Sequence, residues 1–158
     1  MDTIRWNGDS VTMIDQRVLP LVETYHTYSR YWDIVLAIKD MEIRGAPAIG
    51  IAAGMGIALA AKNIIADGTG GIDRFREALA VAVGHFSASR PTAVNLFWTI
   101  RRMKKIIESG GSSQQIAADL EKEAVAILRE DVESNRAMGK NGSRFIADGD
   151  VVHFRFHV

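Results

Sequence analysis

The sequence contains no cysteine, which excludes disulfide bonds, thiolate metal sites and a cysteine nucleophile within its 158 residues. It also carries no net charge, because 19 basic residues balance 19 acidic ones, and nothing in this total favours nucleic acid or an anionic membrane. Only 3 prolines occur, in a composition that is 47% hydrophobic and typical of one globular domain. We therefore expect a cytoplasmic domain in which any anion-binding site is local.

No stretch of the sequence predicts a membrane span or an export signal. The longest uncharged run covers residues 45–61 and includes Pro47 and four glycines. It falls short of the roughly 20 strongly apolar residues that a span requires, and it predicts a buried helix. The first residues are polar and acidic, whereas a signal peptide begins with a basic and then an apolar segment.

The first thirty residues predict a small antiparallel sheet. Apolar and polar residues alternate over residues 3–7 and 10–14, on either side of the hairpin-forming dipeptide Asn7-Gly8. After Pro20, residues 22–28 predict a third strand. Because so small a sheet is unstable alone, we expect helices to pack against it.

Apolar residues recur at helical spacing over the rest of the chain and predict five helices. The second contains three glycines, which cost about 1 kcal/mol each relative to alanine, so a neighbouring helix or a ligand must approach its backbone closely. The predicted helices are one from the N-cap Ser29 to a stop at Gly45, one led by Pro47, one around residues 75–86, one over residues 92–108 opened by Pro91, and one from residue 116 to about 139.

Two loops place an arginine just before a proline-led helix. Arg44 precedes Gly45, Ala46 and Pro47, and Arg90 directly precedes Pro91. A helix N-terminus offers unpaired N–H donors and about half a positive charge, and a guanidinium adds two parallel donors. Each segment is therefore a candidate phosphate or carboxylate site, and the two together suit a phosphorylated small molecule. The alternative is that the first arginine caps the preceding helix and the second is an ordinary loop residue.

Other polar residues favour structural roles. His26 and His85 are isolated, and His153 and His157 lie about 13 Å apart in an extended chain, so no metal site is predicted. Asp131 lies on an apolar stripe but is more typical of a half-exposed helical aspartate than of an active-site acid. The basic residues 101, 102, 104 and 105 predict a solvated helix face, and residues 151–158 alternate as a strand would.

Four segments jointly resemble the N-terminal part of the methylthioribose-1-phosphate isomerase family. That family is itself similar to the regulatory subunits of translation initiation factor 2B and to ribose-1,5-bisphosphate isomerase. The segments are IRW at residues 4–6, RGAPAIGIAA at 44–53, SRPTAVNL at 89–96 and NRAMGKNG at 135–142.

The resemblance implies an α+β fold that is mostly α, with a small N-terminal antiparallel β-sheet followed by a five-helix bundle over residues 1–147. Residues 148–158 would begin the family's Rossmann-like C-terminal domain, the rest of which is missing. It further implies a homodimer, no cofactor, and 5-methylthioribose 1-phosphate as substrate. The phosphate and sugar would be held in part by Arg44, Gly45, Ala46 and Arg90.

The resemblance ends after Val152, before a Thr-His-Cys-Asn segment and a later aspartate on which the family's catalysis depends. It therefore implies a truncated N-terminal domain that binds a phosphorylated pentose but does not isomerise it, with no nucleic acid or membrane partner. Three alternatives stay open at this point. They are a non-enzymatic regulatory subunit related to initiation factor 2B, a fragment of a ribose-1,5-bisphosphate isomerase, and a helical dimerisation module.

Overall fold

A computed structural model describes residues 3–68 and 70–150. Its sheet is antiparallel in the order β1-β2-β3, with strands Ile4–Trp6, Val11–Ile14 and Tyr25–Tyr28. The hairpin predicted at Asn7-Gly8 is confirmed, with Gly8 at a φ of +93°. The predicted third strand is too long at its start, because residues 22–24 lie outside β3 and follow a turn in which the N–H of Val22 bonds to the carbonyl of Val18.

Helix α1 spans Tyr31–Lys39, and its N-cap is Arg30, not the predicted Ser29, with no side-chain cap. The predicted stop at Gly45 is also wrong. The chain leaves the helix at Asp40, and Met41 adopts a φ of +57°. The N–H of the next residue then bonds back to the carbonyl of Ala37 at 2.9 Å, which closes the helix end five residues early.

Helix α2 spans Ala46–Ala66 and is the central element of the domain. Within the described residues it is the one helix long and apolar enough to cross a membrane by length and composition, and 78% of its apolar 18-residue window is buried. The prediction of a buried helix is therefore confirmed. Its glycines explain how: a Cβ at Gly50 would lie 3.0 Å from Thr99 Oγ1, and one at Gly54 would lie 3.2 Å from Cγ2 of the same threonine.

Three further helices enclose α2. Helix α3 spans Ile72–Ser89, α4 spans Val94–Ile107 and α5 spans Ser113–Gly142, followed by the short 3-10 helix Ser143–Phe145. The predicted end of α5 near residue 139 is three residues short. From residue 133 onward α5 is exposed along its whole circumference, whereas its first half packs into the core.

The architecture matches the predicted fold class of a small antiparallel sheet followed by five helices. Glu121 of α5 joins the sheet to the helices, since it accepts a hydrogen bond from Trp6 Nε1 at 2.8 Å and pairs with Lys62 Nζ at 2.5 Å. Lys62 also lies 5.3 Å from the centre of the Trp6 ring. The predicted strand at residues 151–158 lies outside the described residues, and the boundary at residue 148 stays a prediction.

Candidate functional site

The N-terminus of α2 is a helix end with free backbone donors. Its N-cap Gly45 has a φ of +90°, a conformation that favours glycine, and Pro47 lies in the first turn. Within the part of the chain that the structure describes no side chain caps this end, and the first turn contains no acidic residue. The partial positive charge of the helix end is therefore available to an anion.

Arg44 stands directly before this helix end and is exposed. Its backbone N–H donates to Gln16 Oε1 at 2.9 Å, and its Nη2 donates to the Gln16 carbonyl at 3.2 Å. Among the residues that the structure describes, no carboxylate forms an ion pair with this guanidinium. Its charge is therefore not neutralised locally, and most of its donors remain available to a ligand.

An ionic cluster with two buried carboxylates fixes the loop that holds Arg44. Arg17 donates to Asp15 Oδ2 at 2.7 Å and to Glu42 Oε2 at 3.1 Å, and both carboxylates are buried. The hydrogen bond from Arg17 lowers the pKa of Asp15 to about 2. The Gln16 N–H also donates to the Glu42 carbonyl at 2.9 Å. The residues just after β2 are thereby joined to those just before α2.

The same cluster contains three residue types that can bind a metal ion. Asp15, His26 and Glu42 place possible ligand atoms within 4.8 Å of one another. However, Arg17 already supplies a cation to both carboxylates, His26 Nδ1 lies 3.1 Å from Glu42 Oε1, and the Tyr28 hydroxyl donates to that same oxygen. Burial and this hydrogen bond raise the pKa of Tyr28. These three side chains already bind one another, Arg17 or Tyr28, and we assign no metal to them.

Arg90 is the C-cap residue of α3 and is half-buried. The prediction that it directly precedes a proline-led helix is wrong. Its carbonyl accepts the N–H of Ala93 at 3.0 Å, which closes a turn over Pro91 and the next residue. Ala93 is then extended, with a ψ of 100°, so α4 begins only at Val94. Among the described residues, the first turn of α4 also has no side-chain cap and no acidic residue. The free backbone N–H donors of α4 therefore lie farther from Arg90 in sequence than the pattern predicts.

Two open clefts meet at the N-terminus of α2. The first encloses about 860 Å³ between β1, α2 and α5, and the second about 290 Å³ between α2, α4 and α5. They share three lining residues, namely Pro47, Ile51 and Asp131. The RGAP segment at residues 44–47 and the start of α4 therefore border neighbouring parts of one surface.

The predicted site residues occupy different positions relative to these clefts. Gly45 lines the first cleft together with Gln16, the residue that binds Arg44. Ala46 is exposed in the first turn of α2. Arg44, Ala46 and Arg90 are not among the lining residues of either cleft. That Arg44 and Arg90 converge on one phosphoryl group stays a prediction.

One residue that the sequence pattern assigned to a structural role lies in the clefts. Asp131 is half-buried between them, and its Oδ2 accepts a hydrogen bond from Asn135 Nδ2 at 3.1 Å. No lysine or arginine of the described chain pairs with this aspartate. The position of Asp131 on an apolar helix stripe was the one sequence signal of this placement, because a charged residue is rarely found on the inward face of a helix without a partner or a function.

The profile of the Initiation factor 2 subunit family matches residues 42–154. The chain belongs to this family. The matched region contains the α2 N-terminus, Arg90 and the α5 side of both clefts.

Family members of known name are similar over almost the whole chain. Methylthioribose-1-phosphate isomerases from Thermosipho africanus and Geotalea uraniireducens are 40% and 45% identical over 95% of this chain. The solved 5-methylthioribose 1-phosphate isomerase of Pyrococcus horikoshii superimposes with a TM-score of 0.87 at 38% identity over 93% of it. The delta subunit of translation initiation factor eIF-2B from A. fulgidus gives a TM-score of 0.86 at 35% identity over 95%.

The chain is shorter than these relatives. It spans 42% and 43% of the length of the two named isomerases, and 41% and 43% of the two solved chains.

Proposed function

We propose that this chain is the N-terminal, substrate-binding part of a cytoplasmic aldose–ketose isomerase that acts on 5-methylthioribose 1-phosphate in methionine salvage. The observation that carries the proposal is the N-terminus of α2, where Arg44 has no carboxylate partner among the described residues and adjoins an uncapped, acid-free first turn. The names of the similar isomerases supply the substrate. Arg44, Gly45, Ala46 and Arg90 are the proposed binding residues.

The proposed role of this chain is binding without turnover. A sugar phosphorylated at its anomeric carbon cannot open to an aldehyde, so moving hydrogen between C2 and C1 requires a positioned acid and base. The sequence has no cysteine, which is one of the two catalytic residues implied by the resemblance. Arginines and helix N-termini bind and orient a phosphate but do not carry out that transfer.

The binding proposal is tested by calorimetry with inorganic phosphate and with 5-methylthioribose 1-phosphate. Hydrogen bonds to charged groups contribute about 1.5–3 kcal/mol, so we expect Arg44→Ala and Arg90→Ala each to weaken sugar-phosphate binding about tenfold or more. Arg74→Ala removes an exposed arginine from α3 and serves as the matched control, with unchanged affinity. Unaltered affinity in both site variants would exclude the proposed anion site.

Turnover is tested separately. A coupled isomerase assay on the purified chain is expected to give no activity above background. A rate comparable with that of a full-length isomerase would contradict the assignment of binding alone.

A non-enzymatic regulatory subunit is the second candidate, favoured by the likeness to the eIF-2B delta subunit. The calorimetry distinguishes it, because a role confined to protein contacts predicts no binding of either phosphate. A fragment of a ribose-1,5-bisphosphate isomerase is the third, and it predicts tighter binding of the bisphosphate than of the methylthio sugar phosphate.

A further inference from the structure

The smaller of the two clefts has mainly apolar walls. They come from three helices: Ile51 from α2, Val94 and Trp98 from α4, and Ile127 from α5. Its volume of about 290 Å³ is near the lower end for small-molecule pockets.

The base of this cleft is the place where α2 and α4 pack closely against each other. Gly50 lines it, and a Cβ there would lie 3.0 Å from Thr99 Oγ1 and 3.1 Å from the Asn95 carbonyl. Thr99 is fully buried and also lines the cleft, and within the described residues its Oγ1 has no hydrogen-bond partner. A buried hydroxyl without a partner is unusual and indicates a place where a ligand or a water completes the site.

An aspartate without a cationic partner among the described residues lies beside the cleft. Asp131 lies at its boundary with the larger cleft and has no cationic partner in the described chain. Glu130 also lines it and is paired with Arg102, while Arg101 adds one exposed guanidinium at the rim. A dianionic phosphoryl group would approach the unpaired carboxylate, whereas a neutral group would not be repelled.

We propose that this smaller cleft is the specificity pocket for the thioether end of the substrate, with the phosphate held outside it at the start of α2. The inference rests on the proposed function for the identity of the sugar phosphate. An alkyl thioether is apolar and polarisable, so it suits aliphatic walls and makes favourable contacts with an aromatic ring such as Trp98. Asp131 and Asn95 then face the sugar hydroxyls at the mouth of the pocket.

The pocket is tested with sugars that lack the phosphate. Saturation-transfer NMR compares 5-methylthioribose with ribose on the full chain, and we expect the S-methyl protons to receive the strongest signal. Val94→Asp places a carboxylate in the pocket from an exposed position, where an acidic residue suits the first turn of a helix and does not threaten folding. It is expected to remove most of the S-methyl signal, while Val81→Asp, at an exposed valine of α3, leaves it unchanged.

A second arm measures selectivity among phosphates by calorimetry. We expect 5-methylthioribose 1-phosphate to bind about tenfold more tightly than ribose 1-phosphate, within the range that one extra apolar group provides, and Val94→Asp to abolish this preference. If both phosphates bind equally while Arg44→Ala still weakens them, the pocket assignment is wrong and the proposed function stands. If no phosphate binds but the S-methyl signal depends on Val94, the pocket stands and the proposed phosphate site fails. An S-methyl signal that Val94→Asp leaves intact overturns the pocket in either case.

Discussion

The close approach of α3 to α2 makes Gly56→Ala a strong test of the packing. A Cβ at Gly56 would lie 2.8 Å from Phe86 Cε1, closer still to Cζ of the same ring, and 3.3 Å from Ile34 Cγ2. Both neighbours are fully buried, and the Phe86 ring is flanked by Tyr31 with ring centres 6.3 Å apart. The ring therefore has little room to withdraw.

Two opposing effects determine how much Gly56→Ala changes the free energy of unfolding. Replacing a helical glycine by alanine stabilises the helix by about 1 kcal/mol, whereas inserting a methyl group into a packed core costs about 1–3 kcal/mol. Because the new methyl meets Phe86 on one side and Ile34 on the other, we take the upper end of the cost. The expected net loss is about 2 kcal/mol, which lowers the melting temperature of a domain of this size by about 4–8 °C.

Urea unfolding followed by circular dichroism at 222 nm measures this change. The matched control is Gly84→Ala in α3, where a Cβ meets nothing within 4 Å and a gain of about 1 kcal/mol is expected. Phe86→Leu removes the ring atoms that clash, so the double variant with Gly56→Ala should be more stable than the sum of the single effects predicts. Equal stabilities of Gly56→Ala and Gly84→Ala would refute the reasoning.

Three further predictions concern charge and exposed apolar surface. Arg102→Ala removes the ion pairs that join α4 to Glu123 and Glu130 of α5. We therefore expect urea unfolding to show a free energy of unfolding lower by about 1 kcal/mol, with a smaller difference in high salt. The control Lys105→Ala, at an exposed position, should change it by less than about 0.5 kcal/mol. Because Arg17 lowers the pKa of Asp15 to about 2, its stabilisation should be complete above about pH 4 and disappear as the pH falls through 2, and unfolding of Asp15→Asn should lack this acid limb. Finally, Phe145 and the residue after it are 88% and 50% exposed, so sedimentation should reveal concentration-dependent self-association, and a strictly monomeric species at high concentration would contradict it.

Where the chain follows local rules, the sequence predicted the structure. The hairpin at Asn7-Gly8 and the helix start at Pro47 depend on the conformational preferences of the residues themselves. The glycines of α2 predicted close helix contacts because a glycine inside a helix is costly without them, and Gly50 and Gly54 both press against Thr99. These features needed no knowledge of distant partners.

The predictions failed where distant contacts decide the outcome. The chain leaves helix α1 at Asp40, five residues before Gly45, and then places the buried Glu42 in an ion pair with Arg17, a residue that lies far away in sequence. Similarly, the apolar stripe is the one local feature that distinguishes Asp131 from a surface aspartate, and its position between two clefts arises only when α5 packs against α2. The apolar pocket beside it combines residues from three helices and has no compact sequence signature.

The burial of α2 has a consequence for refolding. Its sides are covered by the other helices and by β1, so in the unfolded chain this 21-residue segment presents apolar groups in every direction. Such a segment has no polar face to keep it in solution while its neighbours assemble. We therefore expect the yield of native protein after dilution from urea to fall steeply with concentration, and a chaperone that shields apolar segments to restore it.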